Sequence, residues 1–102
     1  MYKIKINPLA LRDLQEIRAY LMEKELNSDL AIKVLRQIVG RYEQLRDYPL
    51  MGMSLSDLTG IRTSYRYLVS GSYLIFYRVE GKAVFVCRIL YSRRDYLKIL
   101  TG

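Results

Sequence analysis

The chain has 102 residues, enough for one domain and one modest hydrophobic core. Its 51% hydrophobic and 26% charged residues fit a folded protein rather than a disordered one, and no run is long enough to span a membrane. There is no histidine and a single cysteine, Cys87, which excludes an internal disulfide and leaves no ordinary set of zinc or iron ligands.

The net charge of +7 is unevenly placed. Residues 1–60 carry nine Lys/Arg against eight Asp/Glu, whereas residues 61–102 carry eight Lys/Arg against only Glu80 and Asp95. Six of the eight are arginine, the side chain whose planar fork suits phosphate and carboxylate. That half of the chain calls for a polyanion: RNA, DNA or an acidic protein segment.

In chain order, residues 2–6 alternate polar and apolar side chains and predict a short strand. Asn7-Pro8 supplies a helix cap followed by proline in the first turn. The helix that follows places Leu11, Leu14, Ile17 and Leu21 on one stripe, leaving Asp13, Glu16 and Glu23 with Arg12 and Arg18 on a solvated face. Its end is expected near Glu25-Leu26, with Asn27-Ser28 as break and new cap. A second helix is expected over Asp29–Asp47, with Ala31, Leu35, Ile38, Tyr42 and Leu45 inward and Pro49 as its stop. Gly40 within it implies close packing against a neighbour.

Residues 48–60 read as an irregular linker. Beyond them Ile61–Val69, Tyr73–Val79 and Ala83–Tyr91 are rich in β-branched and aromatic residues, separated by hairpin signals at Ser70-Gly71-Ser72 and Glu80-Gly81-Lys82. They predict an antiparallel meander with the N-terminal strand at its edge. The last stretch, Ser92 to Gly102, is basic and then apolar, either a short helix or a docking tail. Residues 1–102 thus read as a single α+β domain, β-α-α-β-β-β. A helical hairpin covers one face of a small, antiparallel-rich, twisted sheet, and the other face is left open for function.

Candidate functional residues are arginines and tyrosines. Arg62, Arg66, Arg78, Arg88, Arg93 and Arg94 are candidates for binding nucleic acid or another target. Arg66, Arg78, Arg88, Arg94 and Tyr96 are the candidates for chemistry, with the four arginines expected to converge on the open face. A three-residue loop at 80–82 places Arg78 and Arg88 on one face; a two-residue loop separates them, and the sequence does not fix which. Ten tyrosines interleaved with arginine suit stacking and phosphate contact, and also suit a half-exposed strand. The lone thiol of Cys87, inside an apolar run, is expected to be buried.

Three stretches carry a resemblance: Ile6 to Leu14 (INPLALRDL), Tyr65 to Val79 (YRYLVSGSYLIFYRV) and Val86 to Tyr96 (VCRILYSRRDY). The chain resembles the RelE/ParE toxins of bacterial type II toxin–antitoxin systems over essentially its whole length. The resemblance implies a cytoplasmic growth inhibitor of the addiction-module or plasmid-stabilisation kind, needing no cofactor. Its expected partner is a cognate antitoxin whose acidic, amphipathic segment wraps the hairpin or fills the open face. RelE-like members are ribosome-dependent mRNA endoribonucleases; ParE-like members are regarded as binding poisons of DNA gyrase. RelE-like chains carry an arginine directly after the tyrosine that opens the middle strand, where this chain has Leu74, and lysines on the preceding strand, where it has none between Ile61 and Val69. Arg94 or Arg93 matches the family's C-terminal arginine, and Tyr96 loosely matches RelE's terminal tyrosine. The expectation is a ParE-like inhibitor acting by binding, with a RelE-like ribonuclease and a non-toxic nucleic-acid-binding domain as alternatives.

Overall fold

In the computed structural model, which describes residues 1–25 and 27–101, the chain opens with β1 (Lys3–Ile6) and enters α1 (Pro8–Glu25). Asn7 caps that helix, its side-chain oxygen accepting from the Leu9 N–H at 2.8 Å. The helix end expected at Glu25-Leu26 is met at Glu25; Leu26 lies outside the described residues. Asn27 then caps α2 (Ser28–Glu43), accepting from Asp29 and Leu30. A 3-10 turn, Gln44–Arg46, finishes the segment before Pro49, so the regular helix is shorter than the sequence implies.

The linker expected at 48–60 is partly ordered structure: a two-residue strand β2 (Met53–Ser54) and a short helix α3 (Leu55–Thr59). The strand expected from Ile61 begins only at Arg66, as β3 (Arg66–Ser70). Residues 61–65 are rich in side chains that favour strands but form none; the Tyr65 carbonyl accepts from the Leu55 N–H at 3.0 Å, and Thr63 is held to α3 through Ser56, whose hydroxyl accepts from the Thr63 N–H at 2.8 Å and donates to its carbonyl at 2.7 Å. Two-residue turns lead on to β4 (Tyr73–Glu80) and β5 (Ala83–Tyr91). Gly71 and Gly81 supply the positive φ these turns need, at 56° and 59°. The tail forms a helix, α4 (Tyr96–Thr101).

The five strands lie in the order β1-β5-β4-β3-β2, with β1 parallel to β5 and every other pairing antiparallel. The expected α+β architecture is therefore present, with β1 on the edge of the meander.

The main core lies between the hairpin and the sheet, where Ala10, Ile17, Leu21, Ala31, Ile38 and Leu45 meet Leu68, Ile75, Tyr77, Val84, Val86 and Ile89. Leu11, expected on the buried stripe, is exposed, and Ala10 takes its place. Gly40 is not closely packed: a side chain there would meet no atom within 4 Å. The close approach is instead at Gly52, where a Cβ would come within 2.6 Å of the Tyr77 hydroxyl.

The second sheet face is not left open. Leu55 of α3, with Tyr67, Phe76 and Leu90 of the sheet, forms a smaller core. Tyr96, Leu97, Ile99 and Leu100 of α4 pack against it, so the basic-then-apolar tail is a docked helix. Cys87 is buried, as its apolar run implies.

Candidate functional site

The strand register decides where the arginines point. The β4–β5 turn has two residues, with Glu80 opposite Ala83, the arrangement that would separate Arg78 from Arg88. A bulge intervenes: Phe76 pairs with Arg88 and Tyr77 with Val86, leaving Cys87 as the extra residue. That residue shifts the alternation by one. Arg78, Phe85, Phe76 and Arg88 therefore share the face away from the hairpin despite the short turn.

Tyr65 stands with both arginines. Its ring lies under the Arg78 guanidinium, 5.5 Å from carbon to centroid. The Arg78 pKa is raised, first by the neighbouring Cys87 side chain, against the lowering effect of burial, with Tyr65 and Glu80 adding to the rise. Arg78 keeps 40% of its side chain exposed and has one distant ion pair, to Glu80 at 4.0 Å.

Arg88 is differently employed. Its Nε and Nη2 donate to the two carboxylate oxygens of Asp13 at 2.8 and 2.9 Å, and Asp13 also accepts from the Ile89 N–H at 2.9 Å. The Asp13 side chain is 5% exposed and that of Arg88 21%. Bonding to Asp13 raises the Arg88 pKa, partial burial opposes the rise, and the charges of Asp13, Glu16 and Tyr65 add to it. Asp13, read from the sequence as part of a solvated face, is thus a buried anchor between α1 and β5. Its spacing carried a signal, since it lies three residues after Ala10 and four before Ile17, both core residues.

The remaining candidates do not join this cluster. Arg66 lies opposite Tyr77, on the hairpin side of the sheet. Its Nη2 donates to the carbonyls of Leu50 and Gly52 at 3.2 and 2.7 Å, holding the 50–52 loop. Arg62 is exposed in the irregular stretch before β3. Arg93 and Arg94 are exposed in the turn after β5. Tyr96 is half-buried, its ring 5.3 Å from that of Phe76. The expected convergence of Arg66, Arg78, Arg88 and Arg94 on one concave face is therefore not what the fold produces: the bulge unites two of them, and strand alternation and the turn send the others elsewhere. Tyr65 and Cys87 complete the cluster: Tyr65 comes beside Arg78 through the regular β3–β4 register, and Cys87 is the residue extruded by the β4–β5 bulge.

Arg94 borders a different feature, a groove of about 720 Å³ between the helical hairpin and the far end of the sheet. Ile17, Tyr20, Leu21, Leu30 and Val34 line it from the helices, and Tyr73, Ile89 and Tyr91 from the strands. The rings of Tyr73 and Tyr91 meet edge to face at 6.0 Å. The charged residues of its lining are Asp13, Glu16 and Arg94, so the groove is apolar with mixed charge at its border rather than basic. Among the described residues, no group of three His, Cys, Asp or Glu side chains is placed to hold a metal ion, and no helix is long and apolar enough to cross a membrane.

This arrangement of hairpin, mixed sheet and C-terminal helix has known counterparts. Residues 4–96 match the family model of the ParE toxin of type II toxin–antitoxin systems, parDE. Toxin ParE1 of Caulobacter vibrioides is 31% identical over 92 residues, covering 90% of this chain and 91% of that protein. A solved structure described as the chromosomal ParDE TA system from P. aeruginosa superposes with a TM-score of 0.75 at 22% identity, covering 89% of this chain and 96% of that one. The chain belongs to the ParE toxin family of type II toxin–antitoxin systems.

Proposed function

We propose that this chain arrests growth by binding its target, with DNA gyrase as that target, rather than by cutting RNA. The disposition of the arginines carries the reading. Cleavage through a 2′-hydroxyl needs cations free to meet the phosphate and a group able to take a proton near neutral pH. Arg88 is held by Asp13, Arg66 by two carbonyls, and Arg94 lies beside the hairpin groove. Around Arg78 stand a tyrosine and a thiol, and the sequence holds no histidine.

The parDE designation of the matching family supports pairing with a cognate antitoxin. The groove between hairpin and sheet is the surface suited to receive one. Its tyrosines and aliphatic side chains would take the apolar side of an amphipathic segment, leaving Glu16 and Arg94 at the rim to meet its charges.

The reading is tested with purified full-length chain, gyrase and relaxed plasmid. Loss of supercoiling on adding the chain, reversed by its antitoxin, is the expected result. Undiminished supercoiling by a chain that still arrests growth removes gyrase as the target.

A further inference from the structure

The face turned away from the hairpin carries a second set of cations, on β1, which have no part in the groove or in the Arg78–Arg88 cluster. Lys5 lies opposite Phe85, and Phe85 opposite Arg78, so three side chains form one row across β1, β5 and β4. Lys3, Ala83 and Glu80 form the next row. The intervening residues Ile4, Ile6, Val84, Val86 and Val79 feed the hairpin core, which fixes both rows on the other side. α4 packs over the Phe76–Leu90 part of that face, and Tyr65 packs with one side against the same cluster.

Cations and rings alternate along this strip. The Lys5 ammonium lies 5.7 Å from the Phe85 centroid, and the Arg78 guanidinium 5.5 Å from that of Tyr65. Lys3 and Lys5 are exposed, and Phe85, Arg78 and Tyr65 are half-buried. We infer that this strip binds the backbone of a single-stranded nucleic acid, with Lys3, Lys5 and Arg78 on phosphates and Phe85 and Tyr65 as platforms for unstacked bases. An acidic peptide would be drawn by the same charges but has no use for rings placed between them, whereas every base offers a face to stack. Glu80 closes one end of the strip, pairing with Arg78 at 4.0 Å. Asp13 takes no part, its two oxygens being held by Arg88. Binding of this kind does not depend on the target of the toxin.

The test is fluorescence anisotropy of labelled oligo-dT and oligo-U with the full chain, titrated over a range of salt. Lys3→Ala with Lys5→Ala removes two exposed cations from the strip; Lys33→Ala with Arg36→Ala removes two from α2 as a control of equal charge. The strip pair is expected to make the dependence of log Kd on log salt shallower by about 1.4, at about 0.7 for each phosphate that a single strand no longer has neutralised. The α2 pair is expected to leave that slope unchanged. Phe85→Leu is expected to weaken binding without altering the slope. Equal weakening by the two charge pairs would reduce the effect to overall charge and overturn the assignment. So would labelled polyglutamate binding as tightly as the oligonucleotides. Because neither gyrase nor ribosomes are present, failure here is separable from failure of the target reading.

Discussion

Asp13 and Arg88, 75 residues apart in sequence, join helix α1 to strand β5 through a two-point ion pair at 2.8 and 2.9 Å. The carboxylate also accepts the Ile89 N–H, so three donors converge on one nearly buried group. The pair ties the hairpin to the sheet and engages the Nε and Nη2 donors of Arg88. Removing one partner leaves the other charge largely desolvated, which costs about 3 kcal/mol. Asp13→Ala and Arg88→Ala are each expected to lower the urea midpoint accordingly. Asp13→Leu with Arg88→Met should recover part of that stability, the buried Ile89 N–H still lacking its acceptor, and retain growth arrest. A stable double variant that no longer arrests growth would show that Arg88 has a direct role at the target.

Gly52 offers a steric test. A Cβ there would sit 2.6 Å from the Tyr77 hydroxyl and 2.7 Å from the Tyr67 carbonyl, which is backbone and cannot swing aside. Gly52→Ala is expected to destabilise by about 1–3 kcal/mol through overpacking. Tyr77→Phe should cost about 1–3 kcal/mol for a different reason, because it strips the buried Gly52 N–H of its acceptor, 3.0 Å away. Thermal melts of the two variants check both.

Gly40 is the opposite case. It lies inside α2 with open space where a side chain would go. Gly40→Ala should therefore stabilise the chain by about 1 kcal/mol, the helix-propensity difference between the two residues. A loss of stability in urea unfolding would mean that the position is packed more tightly than the fold shows.

Much of the architecture was legible because it rests on local signals. Asn7-Pro8 and Asn27 cap helices where their side chains suggest, and Gly71 and Gly81 turn the hairpins. The misreadings share a cause. Residues 61–65 have the composition of a strand but form none, and pairing is a property of the whole sheet. The bulge at Cys87 is likewise invisible until β4 and β5 are aligned, and it reverses what the turn length alone implies for Arg78 and Arg88. The apolar tail was recognisable as such, yet its landing place on Phe76 and Leu90 was not, so a partly covered face read as open. The strip of Lys3, Lys5 and Phe85 is not legible in the sequence because β1 is parallel to β5, a crossover pairing that brings residue 5 beside residue 85.

Alkaline pH should expose the tyrosines. Burial, and secondarily the charge of Glu43, raises the Tyr42 pKa above its ordinary 10.0; burial, with Tyr20 and Tyr91, does the same for Tyr73. A tyrosine whose folded pKa lies above its unfolded value favours folding fully below the unfolded pKa. That contribution falls as pH rises above about 10 and is gone past the folded pKa. Melting temperature is therefore expected to hold level, as far as these two groups are concerned, up to about pH 9 and then to drop. Tyr42→Phe should flatten part of the drop; an unchanged profile in that variant would contradict the assignment.

Binding rather than cleavage is the central claim, and its most direct test is primer extension on mRNA from programmed ribosomes incubated with the folded, growth-arresting chain. Intact message at every codon, with and without ribosomes, is the predicted result. Cuts that appear only when ribosomes are present would contradict it. They would make Arg78 and Tyr65, which stack 5.5 Å apart, the first residues to replace in tracing a ribonuclease mechanism.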